Sequence, residues 1–392
     1  MTRPWADEPL FPELDSEPQW GVFGKAGHEP LALAQIVERI DAGPGRELWN
    51  GSNERPEVVF VTRPDAKHPV AAVECPELQP SLLRWHERKL RGERKKNAFV
   101  FYPLLLLTIA LEVGMHTFAV LPAVFAVLTG ASYVEAWRLL NRLRRDPQGY
   151  LHDKAAQTRY STWLSLSAPK HRCRTCWMAA TWAVIGLVQM VAPESPGHAG
   201  EPSYLAAALV KDLVAVEPWR LVTAAMLHGS VFHFLMNAVT LLALGPLLER
   251  GAHRHLLAPV WLFGALTGSL LSWAATPTTS IGASGGILAV FTFLFVMGLR
   301  RRAQLPPDYA SSLARGLVTI AVFGILAWGV IDNAAHLGGA IFGAALGAWV
   351  FREHDGPLPL PDSPALRIVG GMSEAAFFLV AAFTAAKLLH LV

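Results

Sequence analysis

Residues 222–243 read VTAAMLHGSVFHFLMNAVTLLA, a stretch without a single Asp, Glu, Lys or Arg. A helix of this length crosses a hydrocarbon core ~30 Å thick, which takes roughly 17 to 25 residues. The stretch therefore reads as a membrane span. It is interrupted by His228, His233 and Asn237, and polar side chains inside a span are costly, face a protein interior or wet cavity, and mark functional sites. One window thus predicts a polytopic α-helical membrane fold and the place to look for chemistry.

Similar apolar runs recur at 98–113, 115–131, 176–192, 256–274, 284–299, 315–331, 334–350 and 374–392. With 222–243 they make nine predicted spans. The composition agrees: 52% of the 392 residues are hydrophobic and 17% are charged, against ~45 to 50% and ~25% in soluble domains. Mean hydropathy is +0.31. Disorder and collagen are excluded by this composition. A net charge of +3 from 34 basic and 31 acidic residues is far from that of a nucleic-acid binder, so no nucleic-acid partner is expected. Cys75, Cys173 and Cys176 are too few for a disulfide framework. His171-x-Cys173-x2-Cys176 offers half a zinc site without a second ligand pair, so reduced thiols in a basic loop are expected. The acidic first thirty residues lack the apolar centre of a signal peptide.

Charge sets the topology. A basic cluster from Arg84 to Lys96 precedes the run 98–131, and another from Arg138 to Arg174 follows it. Short loops rich in Lys and Arg stay on the cytoplasmic side, so this run is predicted to cross twice, turning near Gly114 to His116. The same rule places Arg250 and Arg254, Arg300 to Arg302, and Arg352 inside. The loops 193–218, 273–283 and 330–334 hold Lys211 as their only Lys or Arg and are expected to face out. The spans starting near 222, 284 and 334 therefore enter from the outer face. Their polar residues, His228, His233, Asn237, Ser284 and His336, share the outer half of the bilayer. At 100° per residue His233 and Asn237 lie about 40° apart on one face. His336, Gly339, Gly343 and Gly347 also share a face, one that another helix approaches closely.

A hydroxyl becomes a nucleophile when an imidazole within hydrogen-bond reach takes its proton. Ser284 and His336 are the candidate pair. The oxyanion that follows needs fixed donors, for which His233, Asn237 and the backbone N–H of Ser284 are candidates. The predicted reaction is amide hydrolysis by acyl transfer to water, with no cofactor. A metal held by His228 and His233 is disfavoured, since they sit about 140° apart on a helix. Asp332, four residues before His336, either orients that ring or caps its helix, and capping is preferred. Trp328 reads as an interfacial belt residue rather than part of a substrate gate. Tyr204 to Val214 reads as a short helix on the membrane surface.

The ordered motifs Trp219-Arg220, His228-x4-His233-x3-Asn237, Gly245 to Glu249, Gly282-Ala283-Ser284-Gly285 and Ala335-His336-x2-Gly339-x3-Gly343 resemble the rhomboid family of intramembrane serine proteases, over roughly 176–352. The resemblance implies a Ser-His dyad without a third acid, Ser284 as nucleophile and His336 as general base and acid. It further implies His233 and Asn237 as oxyanion side chains and His228 as a supporting position at the top of the same span. Gly282, Gly285, Gly339 and Gly343 are motif positions supporting the site, and Trp219-Arg220 falls in an outer loop that shapes the fold and its contact with lipid. The implied substrates are single transmembrane helices, unwound near small residues. Leu288 stands where the family often has an aromatic ring against the catalytic histidine. Thr292 stands where it often has glycine, which predicts a looser helix contact. A client-binding pseudoprotease would lack Ser284 or His336, and a transporter would carry polar residues through the whole bilayer.

The expected fold is an all-α polytopic membrane protein: a six-helix rhomboid core with an N-terminal helical hairpin, a C-terminal extra span and a small soluble N-terminal α/β domain. The parts are a cytoplasmic α/β domain over 1–97, a transmembrane hairpin over 98–134, a basic cytoplasmic linker over 135–175, the core over 176–352 and a tail with the extra span over 353–392. The first part rests on the amphipathic run Leu31, Leu33, Ile36, Val37 and Ile40, a Gly43-Pro44-Gly45 turn and a strand from Val58 to Thr62. The absence of organelle-targeting features makes a bacterial plasma (inner) membrane the simplest setting, with the N-terminus cytoplasmic and the bilayer and transmembrane protein substrates as partners.

Overall fold

The computed structural model describes residues 4–7, 9–11, 13, 19–24, 27–42, 60–115, 120–166, 173–192, 202–353 and 356–392. The expected Gly43-Pro44-Gly45 turn and His171 lie outside them. The chain forms two compact units, one of residues 1–166 with 304–309 and 318–327, the other of 167–303 with 310–317 and 328–392.

In the first unit α1 (Pro4–Asp7) precedes β1 (Gly21–Gly24), β2 (Gly27–Pro30), α2 (Leu33–Asp41), β3 (Phe60–Thr62) and β4 (Val70–Ala71). The strands form an antiparallel sheet in the order β2-β1-β3-β4, with Val22 opposite Val61 and Phe60 opposite Ala71. Then come α3 (Gln79–Met115), α4 (Val120–Arg145) and α5 (Pro147–Leu166). The sheet residues Val22 and Phe60 share one core with Ile36 of α2, Leu82 and Trp85 of α3, and Tyr150 and Leu151 of α5.

This core draws on residues beyond 97, among them Leu140, Tyr150 and Leu151, and helix α5 lies within the segment 135–175. Apolar positions in α5 are interleaved with charge, which hides them in a hydropathy reading, yet Tyr150, Leu151 and Ala155 join the core, and Tyr150 Oη and His86 Nδ1 are 3.1 Å apart. Helix α3 is continuous from its basic first half into the apolar run, and α4 packs along it. Phe99, Leu106 and Ile109 on α3 remain exposed.

The second unit contains α6 (Arg174–Val191), α7 (Arg220–Thr223), α8 (Val231–Leu248), α9 (Leu257–Ala275), α10 (Ser284–Arg300), α12 (Asn333–Val350) and α13 (Pro364–Leu388), while α11 (Tyr309–Leu326) contributes to both units. Helices α9, α10 and α12 pack against one another, and α13 lies against α6 and α9. Val184, Leu187, Val239, Ile341 and Leu379 point outward. By length and composition Val231–Ala275, Tyr309–Leu326 and Pro364–Leu388 suffice to cross a membrane, and Ser284–Arg300 is a shorter apolar helix. The chain is a multi-pass membrane protein with an N-terminal β-strand region.

Four predicted runs match their helices within two residues, namely α6, α9, α10 and α12. The run 222–243 does not. After α7 and a 3-10 turn over Ala224–Met226, the chain is non-helical until Ser230, whose hydroxyl accepts from the backbone N of His233 at 3.1 Å and starts α8. That N-cap satisfies an otherwise unpaired first-turn donor. The run 315–331 overshoots α11, which ends before a turn at Gly329. Helix α13 begins ten residues before its run, at Ser363 as N-cap and Pro364 in the first turn. Tyr204 to Val214 is not one helix but two 3-10 turns, Ser203–Ala206 and Lys211–Leu213. Cys173 and Cys176 are joined as a disulfide rather than held as reduced thiols; one helical turn brings their Cα atoms to 5.2 Å, within bridging range.

Candidate active site

Ser284 opens α10, and Gly282 sets up that start. Gly282 has φ +135°, a conformation side chains disfavour, and a Cβ there would lie 2.8 Å from Cε1 of His233. Its N–H donates to Ala224 O at 2.9 Å. His336 sits in the first turn of α12. Its Nε2 is 2.8 Å from Ser284 Oγ, so the structure brings together the hydroxyl and imidazole that parity placed at one depth.

Helix α8 supplies the other polar groups. His233, in its first turn, has its ring beside Gly282, and Gly229 N donates to its Nδ1 at 3.4 Å. Asn237, one turn later, is buried, and its Nδ2 has no hydrogen-bond partner among the described residues. A buried donor in that condition is expensive unless something accepts from it. His228 departs from expectation. It is not on the span but in the loop before α8, and its ring meets Trp182, His233 and Phe234 with centroids 5.8, 5.4 and 5.4 Å away. Gln189 of α6 holds the His228 backbone, donating from Nε2 to O at 2.6 Å and accepting from N at 3.2 Å. Sequence reasoning passed over Gln189, although a single amide near the end of the run 176–192 was the available signal. Among the described residues no group of three or more His, Cys, Asp or Glu is placed to hold a metal.

The pair of helices carrying Ser284 and His336 is closely apposed. A Cβ at Gly339 would overlap the Gly285 carbonyl, and one at Gly343 would overlap the Ala289 carbonyl. Thr292, expected to loosen this contact, instead joins it: its Oγ1 is 2.9 Å from Leu288 O in its own helix and 2.9 Å from Ala340 O in α12. Leu288 is buried. Asp332 caps α12, with Oδ1 accepting from Ala335 N at 2.9 Å. Its other oxygen accepts from Ser272 of α9, which in turn accepts from Lys211. Burial alone would raise the Asp332 carboxyl, but hydrogen bonds from Ser272, Ser280 and Ala335 N, with the Lys211 charge, hold it below its ordinary value. Burial pulls the Lys211 ammonium down, opposed by Asp332.

Away from Ser284 and His336, Arg220 organises the loop ahead of α7: Nη1 donates to Leu205 O and Ala208 O at 2.8 and 2.7 Å. Those bonds explain why the loop folds as separate turns. The Arg220 guanidinium lies over the Trp219 ring at 4.6 Å, and Lys387 of α13 approaches the same ring at 4.7 Å. Trp328 is exposed.

A family model for the Rhomboid domain matches residues 215–353. The chain is 34% identical over 137 residues to the "Rhomboid protease GluP" of Bacillus subtilis (strain 168), covering 33% of this chain and 26% of that protein. It is 37% identical over 136 residues to "RHOMBOID-like protein 1" of Arabidopsis thaliana, covering 33% and 34%. With "RHOMBOID-like protein 6, mitochondrial" of the same plant it is 31% identical over 135 residues, covering 33% and 43%. The chain thus spans less than half the length of each of these relatives.

Proposed function

Because this chain belongs to the rhomboid family through residues 215–353, we propose that it is an intramembrane serine endopeptidase that hydrolyses peptide bonds of transmembrane substrate helices near the outer leaflet. The observation that carries this reading is the 2.8 Å approach of His336 Nε2 to Ser284 Oγ. The hydroxyl donates to the imidazole, which takes the proton as Oγ attacks the scissile carbonyl carbon. The carbonyl oxygen becomes an oxyanion, for which Asn237 Nδ2, the His233 ring and the Ser284 N–H at the start of α10 are donors. The imidazolium then gives its proton to the departing amine, leaving an acyl-Ser284 ester. Water, deprotonated by His336, cleaves that ester and restores the hydroxyl. No metal or cofactor enters the scheme.

In the same reading His228 supports the ring of His233, and Gly282, Gly285, Gly339 and Gly343 admit the close approaches the site requires. Trp219 and Arg220 hold the outer loop. The segment 176–352 is the catalytic core, 98–134 an added hairpin and 353–392 a tail with the extra span. The N-terminus is cytoplasmic, and a bacterial inner membrane is the assigned setting. Labelling with a fluorophosphonate probe tests the nucleophile. Mass spectrometry should find the adduct on Ser284 and none in Ser284→Ala; an adduct at another serine would refute the assignment.

A further inference from the structure

Two ionisable groups of the second unit, buried Lys211 and half-buried Asp332, are linked through the buried hydroxyl of Ser272. Lys211 is 8% exposed, and Ser272, which its Nζ contacts, is 0% exposed. Ser272 donates onward to Asp332 Oδ2. The remaining groups of Asp332 are committed to the start of α12: Oδ1 accepts from Ala335 N at 2.9 Å, and its backbone O accepts from His336 N at 3.1 Å. Ser272 Oγ also lies 3.5 Å from Thr276 Oγ1. The chain beside Lys211 is itself pinned, since Leu209 and Ser280 exchange backbone hydrogen bonds of 3.0 and 3.2 Å, and Ser280 stands four residues before Ser284. Lys211 precedes the segment 215–353 that the family model matches.

We propose that Lys211, Ser272 and Asp332 form a clamp that positions His336 by tying the first turn of α12 to α9 and to the loop ahead of α7. Burying an ammonium and a carboxylate costs more than packing apolar side chains of the same volume, so such a pair contributes little as a source of stability; its attested use is to specify geometry. Here the geometry specified is that of the turn carrying the imidazole. The carboxylate is bound on both oxygens, the ammonium neutralises it through the shared hydroxyl, and the helix start follows. Lys211 and Ser272 touch neither the imidazole nor the nucleophile, so they act as positioning residues. A misplacement of about 1 Å at a reacting group costs up to about a hundredfold in rate.

The inference rests on Ser284 and His336 being the reacting pair, and its test separates the two. Full-length Lys211→Met, Ser272→Ala and the double variant are reconstituted in liposomes with a transmembrane reporter, with kcat, KM and the rate of Ser284 labelling by a fluorophosphonate measured below each variant's unfolding midpoint. The clamp predicts that kcat and labelling rate fall together by about ten- to a hundredfold, that KM stays within about twofold, and that the double variant is no worse than the poorer single, because both break one network. Ser272→Ala removes one hydroxyl and keeps the test open should Lys211→Met fail to fold. Values within about twofold of the parent protein in both single variants would overturn the clamp. So would a rise in KM alone with labelling unchanged, which would assign this loop to substrate access. Should Ser284→Ala cleave the reporter as well as the parent does, it is the reacting pair that falls rather than the clamp.

Discussion

A methyl group added to Gly339 would overlap the carbonyl oxygen of Gly285. Gly285 follows Ser284 in α10, and Gly339 follows His336 by three residues in α12. Their bare backbones let the two helices approach until an imidazole nitrogen and a hydroxyl 52 residues apart in the chain are 2.8 Å apart in space. Helix contacts inside a bilayer depend on such small residues because lipid tails are as apolar as the side chains they would otherwise meet.

Gly339→Ala should therefore separate the helices. Overpacking of this kind costs about 1 to 3 kcal/mol, and reporter cleavage should fall at least about tenfold, since the reacting atoms move apart. Gly371→Ala, where a Cβ would meet nothing within 4 Å, should change stability by no more than about 0.5 kcal/mol. Thermal unfolding in detergent and cleavage rates of both variants check the contrast.

His233→Ala and Asn237→Ala should each lower kcat by about 10²- to 10³-fold, the usual cost of removing one oxyanion donor, while KM changes little. Steady-state kinetics on a reconstituted reporter distinguishes this from a binding role, in which KM would rise and kcat would hold.

Glu249 closes the start of α6: Oε1 accepts from Thr175 N at 2.7 Å and Oε2 from Arg174 N at 3.3 Å. Glu249→Ala leaves these donors unpaired and should cost about 1 to 3 kcal/mol. A lowered unfolding midpoint, with Ser284 labelling retained below it, is the expected result.

The first unit carries a pH dependence of its own. Burial, reinforced by the charges of Lys154 and Lys89, lowers His86 from 6.5 to about 3; the residue lies in the basic half of α3, ahead of its apolar run. Between these values the unfolded chain binds a proton that the folded one refuses, so folding stability rises with pH across the window. The contribution is complete above about pH 6.5 and is lost progressively as pH falls toward about 3. Denaturant unfolding of the full chain followed by the fluorescence of Trp85 should show this slope, and His86→Leu should flatten it.

How much of this was legible in the sequence depended on how far each signal reached along the chain. Spans bounded by charge, such as α9 and α10, were legible to within two residues because apolarity and Lys/Arg flanks are local. The meeting of Ser284 and His336 was legible from their places at the starts of two apolar runs, 284–299 and 334–350. His228 was misplaced because the length of the uncharged run 222–243 concealed the cap at Ser230, a local signal outweighed by a longer one. Helix α5 escaped notice because its core partners, Trp85 and His86 among them, lie more than sixty residues away. Lys211 was visible only as the single basic residue of its loop, since Ser272 is 61 residues away from it and Asp332 a further 60. Thr292 shows the converse: a departure from glycine that suggested a gap is a hydrogen bond between helices.

Cleavage of a transmembrane reporter in liposomes by the parent protein, Ser284→Ala and His336→Ala is the most direct measurement of the central claim. The Ser-His account predicts a single cut near the outer leaflet by the parent, and a loss of at least about 10³-fold in either variant. Unaltered cleavage by either variant would contradict it.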